Sequence, residues 1–568
     1  MNKQKTERLA SIVILLAGVM SVILALVKPS ESESAVFLGY SKERLILISA
    51  QMILLAGMAL LITFLNRQGT SSKLIAGLLK VIQNPQNAST IRNLLLGLAV
   101  FLSFAFLCVS IFVPQVLSPI MGWFTCIAWI AYSLYVRFYY PSAGVTDSEK
   151  VSFLPSVRNL NQKQKRVALV LLVIGLAYFL LFIPENLRHS ANLNDFSLDE
   201  MVQYPVVMKM LTPQESVRMT LYKFFAYGEY IYGFPFYGLS ALLLLPVKLA
   251  CQADFQAQTQ VNMLILRQLV SVLPVIVSIY LLTFLATSFE KWWKSIGLFL
   301  LMLTIPGVIW YNSGFWHPDG INFLFIVLAL YFLDRDQMRF GGNFFAAAAA
   351  IGLSVATRLF GLFFFLAIAG LLVAGLIKKI LTLRQAVAKG VIFIVLMAGT
   401  ILVANPFLFN PGEFGAMIKT YQRQQVQVSE GVNEPDPEGV YRTGLDAWLP
   451  IMQRNYGSGV TLGLLGVSVL AGLLGGKHRH FYRILFAWVV VLLSFLVFFV
   501  KMKSFWYLMP AMIPLYCWLF SIPEAISDWI KRTTISSGLK TAVLMSSYLL
   551  VSAVGGYQLY LNIRMIVS

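Results

Sequence analysis

The chain has 568 residues, of which 58% are hydrophobic and 12% are charged, and its formal net charge is +19. A soluble globular protein is typically about half apolar and a quarter charged, so this composition excludes an ordinary soluble domain. The excess of cations does not indicate nucleic-acid binding, because the Lys and Arg residues lie mostly in short segments between apolar runs and form no basic stripe with interleaved aromatic side chains.

Apolar runs long enough to cross a bilayer recur along almost the whole chain. They predict an all-α, polytopic membrane protein with about fifteen transmembrane helices. The predicted spans are 9–27, 45–65, 93–113, 115–136, 166–184, 262–286, 294–311, 320–334, 342–357, 359–378, 387–405, 459–475, 483–500, 505–522 and 541–562.

The loops that carry most of the cations alternate along this series, and the positive-inside rule assigns them to the cytoplasm. The other side then receives two long loops, residues 185–261 and 405–458, which we call the first and second outer loops. The first outer loop contains an apolar stretch, Pro235 to Cys251, that is long enough for a marginal span. Counting it as a span would place later cations such as Lys378 and Lys477 outside, so we predict a helix that lies on the outer membrane surface.

An acidic motif opens the first outer loop. Ser197 and Glu200 fit a capping box, in which Glu200 closes the start of a helix. Asp199 is not needed for that box, although an acidic residue is also favoured there by the helix dipole. Asp195 is a weaker candidate, because it precedes the box. Carboxylates beside apolar membrane segments are costly and tend to be functional, so Asp199 and Glu200 are candidate catalytic residues.

A second acidic residue, Asp319, follows Trp316-His317-Pro318 at the outer end of a predicted helical hairpin. Asp319 also fits an N-terminal helix cap, and a single His is more often structural than functional. Two acidic loops that converge on one face nevertheless favour a functional Asp319, either as a residue that orients the acceptor or as a metal ligand.

Cations on the outer face are few. Arg358 separates two short apolar helices, and Lys503 precedes an aromatic segment that contains Tyr507. Such cations can extend to lipid headgroups. Alternatively, they can bind a departing phosphate, on which negative charge develops.

In this order and spacing, the motifs resemble those of the class C glycosyltransferases, with the protein O-mannosyltransferase and aminoarabinose transferase families as the nearest groups. The resemblance covers about residues 166 to 522 and leaves the first four spans unexplained; the family often has Lys where Arg358 stands. The matching segments are Leu198-Asp199-Glu200 with Tyr204 and Met210-Leu211, Tyr227 to Pro235, Arg267 to Leu273, Pro306 to Asp319, Ala356-Thr357-Arg358 with Gly361, Asn405-Pro406, and Lys503 to Pro510.

The resemblance implies the class C fold and an inverting transfer of sugar from a polyprenyl-phosphate carrier to a lipid, glycan or protein hydroxyl. It implies catalytic roles for Asp199, Asp319 and Glu200, with Asp199 as the base. The substrate-binding residues that we assign are Arg358, Lys503, His317, Tyr507 and Tyr230. No metal ligand or cofactor is assigned, and a divalent ion is left open.

The resemblance also organises the chain. We predict extra transmembrane helices and cytoplasmic connectors in residues 1–165, a catalytic module in 166–404, and the second outer loop with the last spans in 405–568. The expected location is a bacterial plasma membrane, with the active site on its periplasmic or extracellular face. Three alternatives stay open: a transporter or lipid-sugar flippase, an O-antigen ligase or polymerase, and a non-catalytic scaffold.

Overall fold

A computed structural model of the protein describes residues 88–112, 117–138, 160–188, 196–430, 442–475, 478–534 and 536–567. These residues form helices and turns without a β-strand. The chain divides into two compact units, Met1–Lys150 and Val151–Ser568. The predicted spans 9–27 and 45–65, and also Asp195, lie outside the described residues.

Two helices of the first unit are described, and they pack against each other. They are α1 (Ala88–Phe112) and α2 (Leu117–Phe138).

The second unit contains all the candidate site residues. Its helices, in chain order, are α3 (Gln162–Arg188), α4 (Leu198–Met210), α5 (Val217–Phe225), α6 (Phe234–Cys251), α7 (Thr259–Thr287), α8 (Trp292–Leu303), α9 (Pro306–Asn312), α10 (Asp319–Asp336), α11 (Gly342–Thr357), α12 (Leu359–Ile377), α13 (Leu383–Ala404), α14 (Pro411–Glu430), α15 (Leu445–Tyr456), α16 (Gly459–Leu474), α17 (Arg479–Phe499), α18 (Phe505–Lys531) and α19 (Ser537–Val567).

Several of these helices are long and apolar enough to cross a membrane. Within the described residues there are nine, or up to eleven if each of two bent pairs forms one span. This architecture confirms an all-helical protein of the multi-pass membrane type. The number fifteen and the class C fold stay predictions.

Two predicted spans differ in shape from the structure. The span predicted at 294–311 is broken into α8 and α9, which meet at a bend of 60°. Pro306 begins α9, where its fixed φ and missing N–H suit a helix start and not a helix interior. The span predicted at 459–475 corresponds to α16, which is preceded by α15 across a bend of 101°.

The first outer loop folds as a helical layer of its own. The helices α4 and α6 pack together, and a separate apolar core joins them to the beginning of α7. Its fully buried members include Val207, Phe236, Leu244 and Met263. The stretch predicted to lie on the membrane surface forms α6, whose 18 residues also satisfy the length and composition of a span. Its surface location therefore stays a prediction.

Candidate active site

Glu200 is held in a buried ion pair. The predicted capping box is present, with the Ser197 side chain accepting from Glu200 N and the Glu200 carboxylate accepting from Ser197 N. The same carboxylate accepts from Arg267 Nε at 2.9 Å and Arg267 Nη2 at 2.8 Å, and from Trp316 N at 2.7 Å. Both charged side chains are fully buried. Glu200 thus connects α4, α7 and the segment before α10, and this favours a structural role.

A wide helical turn positions Arg267 for this contact. Residues Arg267–Val272 of α7 form a π-helical turn, a feature that is frequent at functional sites. Ser271, in the same turn, accepts a hydrogen bond from His317 N at 3.2 Å. Arg267 Nη1 also donates to Asn186 O at 3.1 Å. The turn therefore fixes both the acidic motif of α4 and the backbone of His317.

The His317 side chain lies between the carboxylates of Asp199 and Asp319. Its Nε2 is 3.5 Å from Asp199 Oδ2, and its Nδ1 is 3.2 Å from Asp319 Oδ2. Phe315 stacks on the imidazole with centroids 4.9 Å apart, and Trp506 lies beside it at 5.7 Å. The structure therefore brings Asp199, His317 and Asp319 together, as the converging acidic loops predict.

Asp319 contacts a cation, Arg358, in addition to His317. The side chain of Asp319 is fully buried, and its Oδ1 accepts a hydrogen bond from Arg358 Nη1. Asp199 is 37% exposed and Arg358 is 16% exposed. A buried His317–Asp319 pair thus connects a solvent-accessible carboxylate with a partly accessible guanidinium.

Aromatic rings surround Arg358. The residue is in extended conformation between α11 and α12, and its Cζ is 4.9 Å from the Tyr507 ring centroid, 5.1 Å from Phe360 and 5.6 Å from Tyr232. Burial opposes the guanidinium charge, but the Asp319 carboxylate raises the pKa of Arg358 above its ordinary value. Arg358 and Tyr507, two of the residues assigned to substrate binding, are therefore in contact, and the guanidinium stays cationic.

Tyr232 connects the first outer loop to this site. Its hydroxyl is 2.8 Å from His317 Nε2, so it shares that nitrogen with Asp199. The following residue, Gly233, donates from its N–H to Thr357 O at 3.1 Å. A Cβ on Gly233 would lie 1.5 Å from Ala356 O, so only glycine permits this approach.

Asn405 closes the same junction. Its Oδ1 accepts from Phe234 N at 2.8 Å, and its Nδ2 donates to Ala356 O at 3.1 Å. Three segments that are far apart in the sequence, around residues 233, 357 and 405, therefore meet beside Arg358. All three segments are among the motifs that resemble the class C glycosyltransferases, but the resemblance did not predict that they are in contact.

Tyr230 contacts the second outer loop. Its hydroxyl donates to Glu413, and its ring packs on Phe407 with centroids 4.4 Å apart. Tyr222 donates to the other Glu413 oxygen at 2.9 Å. Burial, followed by the Glu413 carboxylate, raises the pKa of Tyr230 above its ordinary value. Tyr230 thus connects the first outer loop to α14. Its predicted role in substrate binding stays a prediction.

Lys503 also has backbone partners. Its Nζ donates to the carbonyl oxygens of Arg442 and Lys501, which lie in the second outer loop and just before α18. These contacts place the ammonium at the segment that leads to Tyr507. Its predicted role in phosphate binding is not addressed by them.

Among the described residues, no group of three or more His, Cys, Asp or Glu side chains is arranged to hold a metal ion. The site also contains residues to which the sequence analysis gave no role: Arg267, Ser271, Tyr232 and Glu413. One signal for Arg267 was available, because an Arg within a predicted apolar span requires a partner.

The chain was compared with known proteins. No protein-family model matches it, and no curated protein sequence matches it. The class C glycosyltransferases therefore stay a resemblance, carried by the motifs quoted above.

Proposed function

We propose that the protein is a membrane glycosyltransferase that moves a sugar from a polyprenyl-phosphate carrier to an acceptor hydroxyl on the outer face of the membrane. One observation carries this proposal. An accessible carboxylate, Asp199, and a partly accessible guanidinium, Arg358, are joined through the buried pair His317 and Asp319. A base and a phosphate-binding cation are the two groups that such a transfer needs.

Asp199 acts as the base. A sugar, lipid or protein hydroxyl is a poor nucleophile at neutral pH and gains reactivity when a carboxylate accepts its proton. Asp199 is suited to this step because it is exposed to an acceptor, whereas the Glu200 carboxylate already accepts hydrogen bonds from Arg267, Trp316 and Ser197. The acceptor oxygen then bonds to the anomeric carbon with inversion, and the bond from that carbon to the phosphate oxygen breaks.

Arg358 stabilises the departing lipid phosphate. Asp319 accepts a hydrogen bond from Arg358 Nη1, and the remaining N–H groups of the guanidinium are the proposed phosphate donors. A guanidinium matches phosphate oxygens in a bidentate geometry, and charge-assisted hydrogen bonds of this kind are strong. Asp319 holds the guanidinium in place and is itself held by His317, so Asp319 serves as an orienting residue.

His317 couples the two halves of the site. Its two nitrogens face one carboxylate each, and the stacked Phe315 and Trp506 rings fix the plane of the imidazole. The imidazole therefore fixes the position of the Asp199 carboxylate relative to that of Asp319. The proposal gives His317 a positioning role and no direct bond to the substrate.

The test is a transfer assay with purified full-length protein and a radiolabelled polyprenyl-phosphate sugar. Wild-type protein is expected to release lipid phosphate and label an acceptor fraction, and Asp199→Asn is expected to do neither above background. Uptake of the labelled lipid into the opposite leaflet of proteoliposomes, without sugar transfer, would instead establish the flippase alternative. Absence of both activities with a panel of donor sugars would support the scaffold.

A further inference from the structure

A largely apolar cavity lies at the other end of α12 from the candidate active site. Arg358 precedes α12 and Lys378 follows it, so the two cations are separated by the length of the helix, about 30 Å. The cavity lies between α12 and α17 and has a volume of about 230 Å³. It shares no lining residue with the His317 site.

One wall of this cavity is a continuous face of α12. Leu366, Gly370, Ala374 and Lys378 recur every four residues and therefore share a face. The face extends over about 18 Å at the rise of an α-helix. Gly370 is exposed, and a Cβ added to it would meet no atom within 4 Å. The groove is thus apolar along most of its length and is open at its middle.

One end of the groove is cationic. Lys378, just after α12, and Arg483 of α17 are exposed there, and His480 of α17 also lines the cavity. Neither Lys378 nor Arg483 forms an ion pair with a carboxylate in the described part of the chain. The acidic group that acts on His480 is Asp336, whose oxygens accept from the N–H groups of Phe340 and Gly341.

We propose that this groove binds an anionic glycerophospholipid from the leaflet opposite the candidate active site. Lys378 and Arg483 hold the phosphate of the headgroup, and one acyl chain follows the apolar face past Gly370. Charge complementarity selects this occupant, because basic pockets between transmembrane helices suit anionic headgroups. The long apolar wall has no function for a free phosphate ion, and among the described residues no carboxylate lines the cavity to pair with the cationic amine of a zwitterionic headgroup. This inference does not depend on the proposed glycosyltransferase activity.

Native mass spectrometry of the full-length protein in detergent tests the proposal. The probes are phosphatidylglycerol and phosphatidylcholine with identical acyl chains. We expect phosphatidylglycerol to bind preferentially, and Lys378→Gln/Arg483→Gln to reduce its retention by roughly ten- to thirtyfold, since each cation near a lipid headgroup contributes about fivefold. The matched control is Arg384→Gln/Arg532→Gln, which removes the same charge at exposed positions outside the cavity and is expected to retain the lipid.

A second variant keeps the charges and fills the groove. In Gly370→Leu, the Cβ of the new side chain meets no atom within 4 Å, and the side chain should exclude the acyl chain from the groove. We therefore expect the retention of phosphatidylglycerol to fall while the protein stays monodisperse. Equal retention by the charge variant and its matched control would overturn the proposal, as would equal binding of phosphatidylcholine. Displacement of the lipid by millimolar inorganic phosphate would also overturn it, because it would identify a free-anion site.

Discussion

Asp199 and Asp319 approach opposite nitrogens of the same imidazole, that of His317. One carboxylate is exposed and the other is buried against Arg358. Environments this different give two chemically similar groups different functions: the exposed one can accept a proton from an incoming acceptor, and the buried one can only orient its neighbours. The following predictions separate these functions.

Asp199→Asn should lose turnover by about 10²–10⁴-fold, the usual contribution of a general base, without loss of thermal stability. Glu200→Gln is its control, because it leaves Arg267 buried without a charged partner. Breaking one side of a buried ion pair costs about 3–5 kcal/mol, so Glu200→Gln should melt at a lower temperature. Melting curves and single-turnover rates on the same preparations distinguish the two. Near wild-type turnover in Asp199→Asn would exclude it as the base.

Asp319→Asn should lower activity by about tenfold or more, because Arg358 loses a charge-assisted hydrogen bond that orients it. The loss should appear mainly as a higher KM for the donor lipid. Asp254→Asn, an exposed acidic residue of the first outer loop, is the matched control and should leave the kinetics unchanged. An unchanged donor KM in Asp319→Asn would show that Arg358 does not need this partner.

Arg358→Ala and Lys503→Ala should each weaken donor use by roughly ten- to a hundredfold, which corresponds to about 1.5–3 kcal/mol for a lost charge-assisted contact. Arg358→Lys keeps the charge but not the bidentate geometry, so an intermediate effect is expected. Lys501→Ala provides the comparison for Lys503. Unaltered donor kinetics in both alanine variants would remove the two residues from the phosphate site.

Gly233→Ala should separate the first outer loop from α11, because its Cβ cannot be accommodated beside Ala356 O. Tyr232 would then move away from His317, and both activity and resistance of the loop to proteolysis should fall. Gly415→Ala in α14, where a Cβ meets no atom within 4 Å, should be tolerated. A Gly233→Ala protein with normal proteolytic resistance would mean that the junction is not needed.

Topology is tested by labelling single cysteines in a variant without the four native ones. Cysteines at Glu215 and Lys419, in the two outer loops, should react with a membrane-impermeant thiol reagent in intact cells. A cysteine at Arg384 should react only after lysis, since the positive-inside rule assigns it to the cytoplasm. The opposite pattern would invert the predicted orientation.

The sequence was sufficient for features that depend on local patterns. The helix predicted at 342–357 has those bounds in the structure, because a glycine-initiated apolar run ends at a cation. The capping box at Ser197 was also predicted correctly. Pro306 was part of a predicted span, and the break there follows from proline's preference for the first turn of a helix.

Contacts between distant segments could not be derived in this way. Glu200 and Arg267 are 67 positions apart, and Phe234 and Asn405 are 171 apart. Nothing in the spacing of these residues specifies the pairing, which depends on the packing of α6 against α4, α7 and α11. For the same reason, the sequence did not predict the hydrogen bond from the Tyr230 hydroxyl to Glu413 in the second outer loop.

The dependence of the first outer loop on Asn405 has a consequence for biosynthesis. The chain emerges from the ribosome from its N-terminus, so Tyr232 and Gly233 are synthesised long before Ala356 and Asn405. The bond from Gly233 N to Thr357 O therefore cannot form until translation has passed α11, and the bond from Phe234 N to Asn405 Oδ1 cannot form until translation has passed α13. A nascent chain that stops before residue 405 carries Asp199, His317, Asp319 and Arg358, yet it lacks the amide that secures the loop. The junction beside the site is therefore completed only after α13 has been synthesised.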